Sequence, residues 1–173
     1  MFRLRFSRSR VWLLASSFDD AGQDDSLESI TSAVKRRGYL RREEFLAVCR
    51  WKSPRSQPLC ALNSAGTIKD VTRFALAPAR PDRLKIETLI MLSGVGWPTA
   101  SVILHFFDRD RYPILDYRAL WSVAQELPSP CSYEFWREYT RFTRGLAGAI
   151  GCDMRTLDRA LWQYSKENQP GGG

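Results

Sequence analysis

Apolar side chains in this chain recur at helical spacing, and nowhere do Val, Ile and Thr alternate over a strand-length run. No hairpin signal joins two apolar stretches. This patterning predicts an all-α fold with short connections. Ser26 is a candidate cap for a helix running to about Arg37, with Leu27, Ile30 and Val34 on one face and Gly38 as its stop. Further helices fit residues 41–50, a short one around 59–63, 68–76 capped by Thr67, 82–92, 99–107, 117 to about 125 capped by Asp116, 133–149 and 156–166. Pro54, Pro58, Pro78, Pro81, Pro128 and Pro130 fall between these segments, where a missing N–H does no harm. A length of 173 residues is one domain's worth and buries roughly 70% of the unfolded surface without a staple. The expected organisation is a basic segment over 1–20, packed or flexible, a single helical domain over 21–167 and a disordered tail over 168–173.

Charge narrows the partners. Lys and Arg number 26 against 19 Asp and Glu, a net charge of +7. The excess is early, with 12 basic and 7 acidic residues in positions 1–55. Such a balance suits a polyanion, nucleic acid above all, or an anionic membrane surface. No apolar run approaches the ~20 residues of a membrane span, so an integral membrane protein is excluded. Arg3, Arg5, Arg8 and Arg10 read equally well as a DNA-approach patch or a solvated tail. The apolar stretch 11–15 is too short for a signal peptide, and Asp19, Asp20, Asp24 and Asp25 follow it closely. The four cysteines, Cys49, Cys60, Cys131 and Cys152, lack the close spacing of a zinc or iron–sulfur site and read as free thiols in a reducing cytosol.

The most informative stretch is Leu92-Ser93-Gly94-Val95-Gly96-Trp97-Pro98-Thr99-Ala100. Two apolar helical patterns meet there across a very short turn with glycines two apart. Gly94 and Gly96 permit positive φ and leave the backbone bare, and Pro98 suits a first helical position. The expected product is a helix N-terminus whose amides face outward, a phosphate site by geometry. A plain helical corner is the competing reading. A dinucleotide fingerprint is not, since no strand precedes the glycines and Thr99 occupies the third glycine position.

These residues, with Ile103 and Leu104 after them, resemble the helix–hairpin–helix of the DNA glycosylase superfamily, which reads Leu-Pro-Gly-Val-Gly followed by Thr-Ala. A second signature of that family, an aliphatic residue, an Asp and a helix, resembles Pro113-Ile114-Leu115-Asp116 here. That piece is similar to the adenine-specific mismatch glycosylases. The two motifs together cover about residues 84–123. The resemblance implies a base-excision enzyme that flips a damaged, mismatched or modified base out of double-stranded DNA and hydrolyses its N-glycosidic bond. It places Gly94, Val95, Gly96, Trp97 and Thr99 on the DNA backbone, with a monovalent cation near Leu92 and Val95. It makes Asp116 the catalytic carboxylate, stabilising positive charge on the sugar and orienting or deprotonating a water. Read from the residues alone, Asp116 is a helix cap, and the two roles are compatible.

Departures from the family refine the expectation. Ser93 replaces the usual proline. Pro98 stands where strand-cleaving members carry a Schiff-base lysine, so a monofunctional enzyme is implied unless Lys52 or Lys85 substitutes. The four cluster cysteines of the iron–sulfur branch are missing, so no iron–sulfur cofactor is expected. Tyr117 and Arg118 replace the pair that commonly follows the aspartate. The basic, aromatic stretch Trp51, Lys52, Arg55 is a candidate for DNA or base contact, with Gln57, Tyr117 and Asn63 as further candidates. Trp51 reads as well as a core residue. His105, the only histidine, is expected to pack, as are Trp12, Trp121, Trp136 and Trp162 at helical core positions. The expected protein is a monomer in the cytoplasm, nucleoid-associated in a prokaryote. The alternative is a non-catalytic DNA-binding module that keeps the hairpin and has lost the chemistry.

Overall fold

A computed structural model of the chain describes residues 1–19, 23–108 and 110–170. Asp20 and the three final glycines lie outside the described residues. The fold is all-α, with ten α-helices and no strand among the described residues. No described helix is long and apolar enough to cross a membrane. The chain divides into two compact units, one of Asp20–Asp108 and one of Met1–Asp19 with Arg109–Gly173. The N-terminal segment groups with the C-terminal helices.

The 20–108 unit holds α2 (Gln23–Arg37), α3 (Arg42–Lys52), α4 (Gln57–Cys60), α5 (Ala65–Leu76), α6 (Asp82–Ile90) and α7 (Trp97–Phe107). Helix α7 is its axis. Residues 99–106 are buried without interruption, as expected of a helix that is apolar on all sides, and α2, α3 and α6 pack around it. Phe45, Ile68, Leu76, Ile86 and Leu89 fill the surrounding core. One polar bond ties the unit across a long sequence gap: the Leu40 N–H donates to Thr72 Oγ1 at 3.0 Å, inside the core.

Local chemistry places the helix ends, with two corrections to the expected caps. Helix α2 begins at Gln23, so Ser26 lies inside the helix and not at its cap. Helix α5 begins three residues before the expected start, because Ser64 Oγ accepts the Thr67 N–H at 3.0 Å. Thr67 is therefore the donor, and the true cap is the earlier hydroxyl. The acidic first turn expected for α3 is present in Glu43 and Glu44, and Glu44 accepts the Arg41 N–H at 2.7 Å.

The second unit is built on α10 (Met154–Asn168), against which α1 (Val11–Ser16), α8 (Tyr117–Ser122) and α9 (Tyr133–Ile150) pack. The N-terminal segment is anchored there. The Arg3 and Arg5 N–H groups donate to Val123 and Ser122 carbonyls at 3.0 and 2.9 Å. The Arg5 guanidinium lies 4.6 Å over the Trp121 ring, and Arg10 lies 5.7 Å over Tyr164. Helix α1 buries Val11 and Leu14 and turns Trp12 outward at 54% exposure. Six residues give a single inward edge at i and i+3, so the expected packing of Trp12 does not occur. Trp136 is buried, stacked on Tyr112 at 5.8 Å, while Trp121 and Trp162 are half-buried.

Candidate functional site

The turn between α6 and α7 is shaped by three residues. Gly94 has φ of +77°, and a Cβ there would sit 2.7 Å from the Cys60 backbone nitrogen and 3.0 Å from Leu59 Cβ. Both the conformation and the space exclude a side chain. Gly96 differs from expectation. Its φ of −97° is ordinary, and a Cβ would meet nothing closer than Pro98 Cδ at 3.7 Å. Positive φ is thus needed at Gly94 only. Helix α7 starts at Trp97, which makes Pro98 its second residue, one place later than expected and still ahead of the hydrogen-bond ladder.

The third residue is Asn63, whose buried amide clamps the turn from across the unit. Its Nδ2 donates to the Cys60 carbonyl at 2.8 Å and to the Ser93 carbonyl at 2.9 Å. Its Oδ1 accepts the Ser93 N–H at 2.9 Å. An amide committed three times over is structural, so Asn63 does not project toward a ligand. Nothing in the sequence near Asn63 signals this role, because its partner lies thirty residues away.

Not every turn amide is available to an anion. The Val95 N–H donates to the Leu92 carbonyl at 3.0 Å, closing the turn. The α7 ladder begins with Ala100 N–H to the Gly96 carbonyl at 2.9 Å. The amides of Gly96, Trp97 and Thr99 come before it, as the first N–H groups of any helix do. Gly96 and Ser93 are exposed, Gly94 and Trp97 half-exposed, and the Val95 and Thr99 side chains are buried, so Thr99 offers only its backbone.

The Asp116 region belongs to the other unit. Residues 112–115 are all buried, and the Tyr139 hydroxyl donates to the Ile114 carbonyl at 3.2 Å. The Pro-Ile-Leu part of the motif is therefore packing. It delivers Asp116 as the first half-exposed residue, with extended backbone at φ −135° and ψ 143°. Asp116 Oδ1 accepts the Arg118 N–H at 2.9 Å, so the expected cap of α8 is present. The Tyr139 phenol is pushed well above its ordinary range by burial first, then by the negative charges of Asp158 and Asp116. Arg155 and Asp158 form a buried ion pair on α10. Tyr117 is exposed at 56%, and the Arg118 guanidinium lies 5.3 Å over its ring and 5.1 Å over that of Trp162.

The remaining candidates scatter. Trp51 and Lys52 lie in the last turn of α3, not in a loop, and the Trp51 ring meets Phe106 edge-on at 5.6 Å. That contact favours its core reading. Arg55 is exposed on the 3-10 turn Pro54–Ser56. The Gln57 carbonyl oxygen, with its amide turned to suit, accepts from Arg50 at 3.1 and 3.2 Å. Lys85 is buried at 3% exposure, which makes it a poor nucleophile for an external sugar. His105 is fully buried, its ring edge-on to Phe106. All four cysteines are free thiols. The chain matches no family model, and comparison with curated proteins and with solved structures finds nothing similar to it.

Proposed function

We propose that the protein is a monofunctional DNA glycosylase of the helix–hairpin–helix type. The observation that carries this reading is a pair of motifs in order: a glycine turn opening α7, and an aspartate opening α8 at the end of a buried apolar strap. The bare backbone at Gly96, with the Trp97 and Thr99 amides behind it, suits a phosphate at a helix N-terminus. Carbonyls at Leu92 and Val95 would hold a monovalent cation; the Leu92 oxygen already accepts one hydrogen bond and has a second lone pair.

Asp116 supplies the negative charge. As the glycosidic bond breaks, its electron pair leaves with the base and positive charge develops on the sugar. The carboxylate stabilises that charge and orients the water whose oxygen bonds the anomeric carbon. The water's proton passes to the carboxylate or to the departing base. The cap bond helps here, since a carboxylate held by the Arg118 N–H needs no reorganisation at the moment of reaction. With Pro98 in place of the lysine, hydrolysis ends at the abasic site.

Asp116→Asn separates chemistry from capping, because Asn caps a helix as well as Asp does. The variant should match the parent in thermal stability and lose base release by ~10² or more. Release is scored as alkali cleavage on a panel of lesion duplexes. Parent-like release by the variant ends the proposal. A second reading, a DNA-binding module without chemistry, draws on the engagement of Asp116 as a cap. It would bind duplex DNA in a salt-dependent manner and yield no abasic product from any lesion.

A further inference from the structure

We propose that Tyr39, with Arg37, Lys69 and Arg73, forms a second contact site for the sugar–phosphate backbone of duplex DNA, separate from the α6–α7 turn. The Arg37 and Arg73 guanidiniums lie 4.9 and 5.0 Å from the centre of the Tyr39 ring, and the Lys69 ammonium lies 5.5 Å from it. Three cationic heads gathered on one ring are separated by roughly 10 Å at most, about a Debye length at 0.1 M salt. They therefore repel one another in the free protein. A cation over an aromatic ring is favourable, yet one ring does not balance three.

Among the described residues, one of the three is neutralised nearby. Arg37 pairs with Glu44 and donates from Nε to the Tyr39 carbonyl at 3.2 Å, which fixes the floor of the cluster. Lys69 and Arg73 are exposed, lie one turn apart on α5, and have no ion-pair partner among the described residues. Basic residues in the last turn of α2 are accounted for by the helix dipole. That explanation does not reach Lys69, in the middle of a different helix. Segments 35–44 and 69–73 together carry seven Lys and Arg against three Asp and Glu, more than half of the chain's net charge of +7.

The chemistry that relieves this repulsion is a row of phosphates. Guanidinium forks held over a ring match phosphate oxygens in pairs. An anionic membrane would call for apolar side chains to enter the interface, and here the half-buried ring lies beneath charges. The inference rests on the nucleic-acid reading above and extends it to a surface that the turn and Asp116 do not include.

The test uses the full chain and a fluorescein-labelled duplex of about 20 base pairs, titrated by anisotropy from roughly 50 to 200 mM salt. Lys69→Gln with Arg73→Gln keeps good helix formers on an exposed face. The salt slope should fall by about 2, near 1 per lost phosphate contact, and affinity at ~0.1 M salt should drop at least tenfold. Arg73→Lys should keep the parent slope. If the parent binds duplex and the double variant keeps its slope, this site is wrong while the DNA reading stands. If the parent binds no duplex, both fall. Sedimentation with phosphatidylserine-containing vesicles that needs Lys69 and Arg73, without duplex binding, overturns the assigned partner. Gly96→Glu tests the turn separately, since it should weaken binding with the patch intact.

Discussion

Asn63 offers a direct test of how the α6–α7 turn is held. Replacing it with Ala removes two donations and one acceptance, at 2.8, 2.9 and 2.9 Å. At about 0.5–1.5 kcal/mol each, the three bonds sum to roughly 1.5–4.5 kcal/mol. Ser93 is exposed, so water can take over part of its loss, and the Cys60 carbonyl, although buried, keeps the Asn63 backbone N–H at 3.2 Å. The expected cost is therefore about 2–3 kcal/mol. For a chain of this length that corresponds to a fall in Tm of roughly 4–12 °C, read by far-ultraviolet circular dichroism. Asn63→Asp sharpens the test. It keeps the acceptor for the Ser93 N–H and sets a carboxylate oxygen against the Cys60 and Ser93 carbonyls. Those carbonyls disfavour the charged form and favour the neutral acid, which can donate, so the folded-state pKa rises above its unfolded value of about 3.9. Stability from a group shifted upward is present below the unfolded pKa and is lost as pH rises through the folded one. Relative to the parent at each pH, Asn63→Asp should be least stable near neutrality and recover toward pH ~4. A variant within about 0.5 kcal/mol of the parent at neutral pH, or a gap that does not change with pH, would falsify the clamp.

The two glycines should respond in opposite ways. Gly94→Ala meets both a positive φ and a backbone wall at 2.7 Å, and should cost roughly 3 kcal/mol; Gly96→Ala should stay within ~0.5 kcal/mol, and equal effects in urea unfolding would contradict the turn geometry. The Cys131 thiol is pushed up to about 11 by burial, partly offset by a backbone hydrogen bond at Ser132. Its alkylation by iodoacetamide should rise about tenfold per pH unit well below that value, so a plateau in labelling already reached by pH ~9, followed by peptide mass spectrometry, would refute the assigned environment.

Helix order and type are legible from stretches a few residues long, because the information is local. Apolar residues three and four apart mark one face, a hydroxyl or carboxylate marks a start, and proline marks a break. Asp116 as the cap of α8 and the glycine corner before α7 are read in this way, and both are present in the fold. Competing signals within one turn of each other are less legible. Ser64 and Thr67 both cap well, and the choice fell to the earlier hydroxyl when α5 gained a turn. Features that join distant segments have no local trace. Asn63 reaches Ser93, Leu40 reaches Thr72, and Arg37, Lys69 and Arg73 meet at Tyr39 only because the α2–α3 connection is laid against α5. Trp12 and Trp136 look alike in a periodic pattern, but one helix had a core to enter and the other had six residues and a single buried edge. Periodicity says which face a helix wants covered; packing settles which faces find cover, because buried area is shared among elements far apart in the chain.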